Sequence, residues 1–175
     1  MHARAQTAFG DVLALVGDGD LSRSTPCTNW TVADLVDHVR DGNQWVVELG
    51  GSEPNELPSE RLAAHAASSA AAQAVFSADD ALTRTFDHPI GPIPGSLFAT
   101  IRAGDAYAHA WDLATAIGAD TDIDGELGEE IYDAISPLLG DGLRGEGRPF
   151  GPQQPCPPER PMADRVAAFL GRTVA

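Results

Sequence analysis

Ile101-Arg102-Ala103-Gly104-Asp105-Ala106-Tyr107-Ala108-His109-Ala110-Trp111-Asp112-Leu113-Ala114-Thr115-Ala116-Ile117 is the stretch that decides the fold. It is rich in alanine, holds no proline and has no β-branched run, so it reads as helix. Asp105 and His109 are four apart, about one turn, and leave the same face. A second helical stretch, residues 31–49, carries His38. Side by side, these helices bring two imidazoles and one carboxylate together. Such a set can hold one divalent metal and leave coordination positions open for water or a thiol.

The first helix is expected over residues 3–16, with Phe9, Leu13 and Val16 at three- and four-residue steps, stopping at Gly17-Asp18-Gly19. The second opens on Thr31-Val32-Ala33-Asp34, a capping box with Asp in place of the usual Glu, and ends at Gly50-Gly51. A polar linker, residues 52–57, leads to an alanine-rich third helix over 59–81 with a weak apolar stripe of Leu62, Val75 and Phe76. Residues 86–95 hold three prolines and two glycines, which forbid helix, and residues 83–86 suit a short extended piece. The fourth helix is expected from Ser96 to Gly118, a fifth over 125–139 and a last one over 162–170, with 140–161 irregular between them. The expected architecture is all-α, one domain spanning 1–175, a bundle of longer helices with short C-terminal additions.

Length and composition agree with this. The 175 residues suffice for one domain with a sizeable core, and 43% are apolar. No apolar run approaches the roughly 20 residues of a membrane span. The N-terminal residues lack the apolar centre of a signal peptide, so a cytoplasmic location is expected. Net charge is −15, which repels phosphate backbones and anionic membranes and serves solubility. All 11 basic residues are Arg. Cys27 and Cys156 form no C-x-x-C pair, which excludes a cysteine-rich zinc site and leaves two reduced thiols as the simpler reading. Cys27 precedes a helix start, where a nucleophilic thiolate would be stabilised.

The other polar residues rank lower. His2 is terminal and is expected to be mobile, His65 stands alone on the third helix, and His88 suits a structural role beside Pro89. Trp45, seven after His38, shares roughly its face, with Asp41 and Gln44 nearby. Arg102, three before Asp105, can pair with it, hold a substrate carboxylate or lie on the helix surface. Trp45 and Arg102 are the candidate cofactor-binding residues. Asp112, three after His109, either supports that imidazole from behind or braces Trp111, the latter being favoured.

Two blocks carry a family resemblance. Pro26-Cys27-Thr28-Asn29-Trp30-Thr31-Val32-Ala33-Asp34-Leu35-Val36-Asp37-His38 resembles the P-C-x-x-W-T-V-x-D-L-x-x-H opening of actinobacterial DinB-like metal-binding proteins of the mycothiol-dependent maleylpyruvate isomerase type. Asp105-Ala106-Tyr107-Ala108-His109-Ala110-Trp111-Asp112-Leu113-Ala114 resembles their D-x-x-x-H-x-W-D-L-A block. The turn Gly91-Pro92-Ile93-Pro94-Gly95, Phe150-Gly151-Pro152 and the stretch from Asp164 to Arg172 fit in the same order. The resemblance implies a DinB-like four-helix bundle and a metal held by His38, Asp105 and His109, with zinc the default ion and nickel or iron open. The isomerase relatives place Glu where this chain has Asp105, one methylene shorter.

A three-ligand centre with a free position can lower the pKa of bound water for hydrolysis or hold a cofactor thiol as thiolate. The resemblance favours the second, with mycothiol as the thiol and an electrophilic small molecule as the substrate, in an isomerase or transferase reaction. The alternatives are a non-catalytic metal- or ligand-binding bundle and a metal-dependent hydrolase. The alanine-rich third helix offers a surface for a homodimer.

Overall fold

The computed structural model describes residues 1–89, 91–145 and 150–174. Among them are six α-helices and one two-stranded sheet: α1 (His2–Leu13), α2 (Val32–Leu49), α3 (Arg61–Phe76), β1 (Thr85–His88), β2 (Gly91–Pro94), α4 (Gly95–Ile117), α5 (Gly125–Ile135) and α6 (Met162–Phe169). The chain is therefore mostly helical but not all-α. Part of the stretch expected to be irregular, residues 146–149, lies outside the described residues. No helix of the described residues is long and apolar enough to cross a membrane.

The element that corrects the all-α expectation is the hairpin. β1 pairs antiparallel with β2 in the register Phe86 opposite Ile93 and His88 opposite Gly91. Opposite residues share a face, so Phe86 and Ile93 both turn inward and are buried. The prolines at 92 and 94 are tolerated because the ribbon has open edges that need no further N–H donors. Gly95 then starts α4 where the backbone passes close to the Ala81 carbonyl oxygen, leaving no room for a Cβ.

The helix ends follow their local chemistry. Thr31 accepts a hydrogen bond from the Asp34 amide (3.3 Å), and Asp34 accepts one from the Thr31 amide (2.9 Å), the reciprocal box expected from sequence. α3 is shorter than expected at both ends. Glu60 caps it by accepting from the amides of Leu62 and Ala63, and it stops at Phe76. α4 ends on Gly118 in the left-handed region (φ +73°), with the Ala119 amide reaching back to the Ala114 carbonyl (2.9 Å). Glycine suits that position because it has no Cβ to clash.

α4 is the central helix. It packs against α1, α2, α5 and α6, while α3 covers α1 and α2. From Arg102 to Ala114 all but Asp105 are buried. A helix enclosed on all sides must be apolar or small nearly all round, which accounts for its alanines. Two apolar clusters flank a polar layer. One gathers Phe9, Leu35, Val39, Tyr107, Leu113 and Leu127. The other gathers Val46, Ala72, Phe76, Phe86, Ile93 and Phe98. Along α2 the buried Asn43 falls between the two clusters, and along α4 the buried Arg102 does the same.

That layer overturns two expectations. His2 is not mobile: it is buried, and its Nδ1 meets Gln73 Oε1 at 2.9 Å. His65 is not alone: it is buried against Phe9, and its Nε2 donates to the Gln6 carbonyl (2.9 Å). Gln6 and Asn43 exchange side-chain amide hydrogen bonds of 2.9 and 3.0 Å, and Asn43 reaches Ser68 at 3.4 Å. An alanine-rich helix hides such partners because alanine gives no directional stripe.

Burial pushes both imidazoles below their ordinary pKa, with the Gln73 and Gln6 hydrogen bonds opposing it less strongly. At these two imidazoles the unfolded chain therefore binds more protons than the folded one below about pH 6.5. Stability present above that value is lost as the pH falls through the depressed folded pKa. A melting temperature that declines from pH 7 to pH 5, with a shallower decline in His65→Gln, is the expected result. An identical slope in the two proteins would contradict it.

Candidate metal centre

The loop before α2 builds one wall of the site. Thr25 Oγ1 accepts from the Cys27 amide (3.2 Å), the Thr25 amide donates to the Trp30 carbonyl (3.0 Å), and Ser24 bridges to Thr31. Asn29 takes the left-handed backbone conformation (φ +66°), which Asn tolerates better than most residues. The tight loop holds Trp30 over His38, with ring centroids 4.7 Å apart, and over His109 at 5.7 Å.

α2 and α4 pack together, and His38, Asp105 and His109 meet between them. His38 Nε2 stands 3.3 Å and His109 Nε2 3.5 Å from the same oxygen, Asp105 Oδ1. Ligand atoms of the three residues all lie within 4.8 Å of one another. Donors about 2.0–2.1 Å from a tetrahedral ion stand roughly 3.3 Å apart, so the spacing fits a small divalent metal. Asp105 Oδ2 adds to the fit. It is buried and makes no well-formed hydrogen bond, although Arg102 Nη1 is 3.2 Å away. The donor set of two imidazoles and one carboxylate suits zinc, iron or nickel.

Behind His109 lies a second layer. Asp112, fully buried, accepts from His109 Nδ1 at 3.0 Å. The same carboxylate accepts from Arg172 Nε (3.1 Å to Oδ1), from Arg172 Nη2 (2.8 Å to Oδ2) and from Cys27 Sγ (3.2 Å to Oδ2). With Nδ1 so occupied, the Nε2 edge is turned toward Asp105 and His38. This is the arrangement that orients metal-ligating histidines. Asp112 is therefore not the brace of Trp111. That indole donates instead to the buried Asp164 of α6 at 2.7 Å. The one-turn spacing of His109 and Asp112 carried the signal in the sequence. In the sequence, Arg172 and Trp30 stand out only as members of the matching blocks, with no role at the site assigned to either.

The charges reinforce one another. Burial pushes the Asp105 carboxyl up, but the Arg102 and His109 charges outweigh it and hold it well below the usual range. Burial likewise lowers His109, and the neighbouring Asp105 and Asp112 more than reverse this, raising it well above 6.5. Burial raises Asp112, yet the hydrogen bonds from His109 and Arg172 bring it down to about 2.

The remaining sequence candidates are spread along the same helices. Arg102 is buried beside Asp105, its Nε and Nη2 making no hydrogen bond. Its guanidinium lies against Gly42 of α2, where a Cβ would overlap it. Trp45 packs on His88 (5.0 Å) and Phe98 (5.3 Å). Gln44 donates to the Asn55 carbonyl (3.1 Å), and Asp41 pairs with Arg40 (2.8 Å). Cys27 and Cys156 are both free thiols.

The Mycothiol maleylpyruvate isomerase N-terminal domain family matches residues 2–52, which cover α1 and α2 with His38. Two uncharacterized proteins of Mycobacterium tuberculosis, from strains CDC 1551 / Oshkosh and ATCC 25618 / H37Rv, are each 46% identical over 175 residues, covering 99% of this chain and 96% of theirs. The chain belongs to the mycothiol maleylpyruvate isomerase N-terminal domain family. The family match ends at residue 52, whereas the likeness to the two mycobacterial relatives runs on through α4 and α6. No solved structure matches the chain significantly.

Proposed function

We propose that the chain is a divalent-metal-binding protein of the DinB-like kind, with α1 to α4 forming a four-helix bundle in one domain spanning 1–175. His38, Asp105 and His109 hold the ion, zinc by default, with nickel and iron as alternatives. The observation that carries this reading is the meeting of two imidazole Nε2 atoms on one carboxylate oxygen, with Asp112 behind His109.

The family match and the donor count support a reaction class. Structural zinc sites usually have four protein ligands, and three are found here among the described residues. An open position suits a thiol, and the family name points to mycothiol. When bound, the metal favours the thiolate form of such a thiol and polarises an electrophile. The chain's own residues do the rest. Asp112 orients His109, Trp30 covers one side of the two imidazoles, and Arg102 and Trp45 form the cofactor-binding side. Buried beside Asp105 with donors to spare, Arg102 suits a carboxylate on the cofactor or substrate. The activity is a thiol-dependent transfer or isomerisation of a small electrophile in the cytoplasm, and the outer face of α3 is where a second copy would dock.

The test is conjugation of a low-molecular-weight thiol to a model electrophile. Rate enhancement that needs added metal and disappears in His38→Ala supports the reading. Enhancement that survives both chelation and His38→Ala removes it. Metal-dependent ester or amide hydrolysis without a thiol would favour a hydrolase instead.

A further inference from the structure

We propose that Arg172 is a positioning residue of this metal centre: by clamping Asp112 it fixes the imidazole of His109 with Nε2 toward Asp105 and His38. The inference rests on the metal reading above, and its test separates the two.

Arg172 lies beyond α6, far in sequence from any ligand. Its approach is built by backbone. The Arg172 amide bonds to the Ala167 carbonyl (3.0 Å), and Gly171 adopts a left-handed conformation (φ +101°). A Cβ on Gly171 would stand 2.7 Å from the Gly151 Cα, so a residue without a side chain is needed to turn the chain there. The turn sends the Arg172 side chain back onto α4, where it grips both oxygens of Asp112 at 3.1 and 2.8 Å. A planar fork bound to two oxygens fixes the plane of the carboxylate as well as its place.

Asp112 needs that grip. Its side chain is fully buried, and an isolated buried carboxylate is costly. Its oxygen Oδ2 is shared by Arg172, His109 and Cys27. Take away the guanidinium and the carboxylate keeps only a weak thiol donor and the imidazole, so its plane is free to turn. His109 would then lose its fixed ring orientation. Groups that hold a metal-ligating histidine from behind typically change metal affinity 10- to 100-fold.

The fold supplies a matched control. Asp164 of α6 is also buried and also pairs with an arginine, Arg160 (3.0 Å), while accepting from Trp111 of α4. It ties α6 to α4, next to where Arg172 ties the following segment to α4, without touching a ligand histidine in any described contact.

Arg172→Ala, Arg172→Lys and Asp164→Asn are compared with the parent at a temperature where circular dichroism shows each folded. Zinc affinity is measured by competition with a chelating dye. The Nδ1 proton and ring nitrogens of His109 are followed by NMR in the metal-free protein. Zinc affinity about 10- to 100-fold weaker in Arg172→Ala, a lost slow-exchanging Nδ1 proton and partial recovery in Arg172→Lys or with millimolar guanidinium are expected. Asp164→Asn should lower the melting temperature and leave affinity and ring signals alone. Unchanged affinity and ring signals in Arg172→Ala overturn the proposal, as does an equal loss in Asp164→Asn. If Arg172→Ala does not fold, Arg172→Lys carries the same comparison. A parent that binds no zinc overturns the metal reading, and the ring signals then decide alone whether Arg172 positions His109.

Discussion

Elemental analysis of the untagged protein, loaded at or above neutral pH, is expected to give close to one equivalent of divalent metal, and none in the His38→Ala/His109→Ala double variant. The variant keeps Asp105 but loses both imidazoles that stand 3.3 and 3.5 Å from it. One carboxylate does not retain a small divalent ion against water, and Arg102, 3.2 Å from its other oxygen, already neutralises much of its charge. The loading pH matters because His109 is held protonated well above 6.5, first against its burial and then by Asp105 and Asp112. A proton on that ring must leave before a metal can bind, so affinity falls as the pH drops. Absence of metal in the parent, even after incubation with zinc or nickel, would remove the centre and favour a helical binding protein.

Most of the helical framework was legible in the sequence because its signals are local. The Thr31–Asp34 box, Gly118 after α4 and the prolines before it each act within a few residues. The triad was legible for the same reason plus one assumption: Asp105 and His109 share a turn, and only the packing of α2 on α4 had to be supplied. The hairpin was half seen. The prolines and glycines excluded helix over 86–95 and an extended piece was expected only at 83–86, while the pairing of Phe86 with Ile93 depends on a register set by what lies beneath. The polar layer was missed because its members sit far apart in sequence, as Gln6, Asn43 and Ser68 do, and each alone reads as a surface residue. Arg172 shows the limit most clearly. Its partner Asp112 is 60 residues away, and the turn that joins them depends on two glycines meeting, Gly151 and Gly171.

Asp112→Ala is expected to be the most damaging single substitution for stability. The carboxylate is fully buried, and burial alone would raise its pKa; instead His109 and Arg172 hold it at about 2 against an ordinary 3.8. That difference corresponds to roughly 2 kcal/mol of preference for the charged, partnered form, present above pH 3.8 and lost as the pH falls toward 2. Truncation forfeits this and strands the guanidinium, whose side chain is only 15% exposed, beside a cavity. Breaking a buried pair by removing one partner costs about 3–5 kcal/mol, which for a chain of this size is a fall in melting temperature of about 6–20 °C. Thermal unfolding of the metal-free protein measures it without contribution from a bound ion. Removing both partners should cost less than the sum of the single losses, because the double variant Asp112→Ala/Arg172→Ala leaves no unpaired buried charge. Strict additivity, or a fall under about 1 kcal/mol for Asp112→Ala, would mean that water reaches the pair and that Asp112 is held by packing around it instead of by the four donors converging on its oxygens.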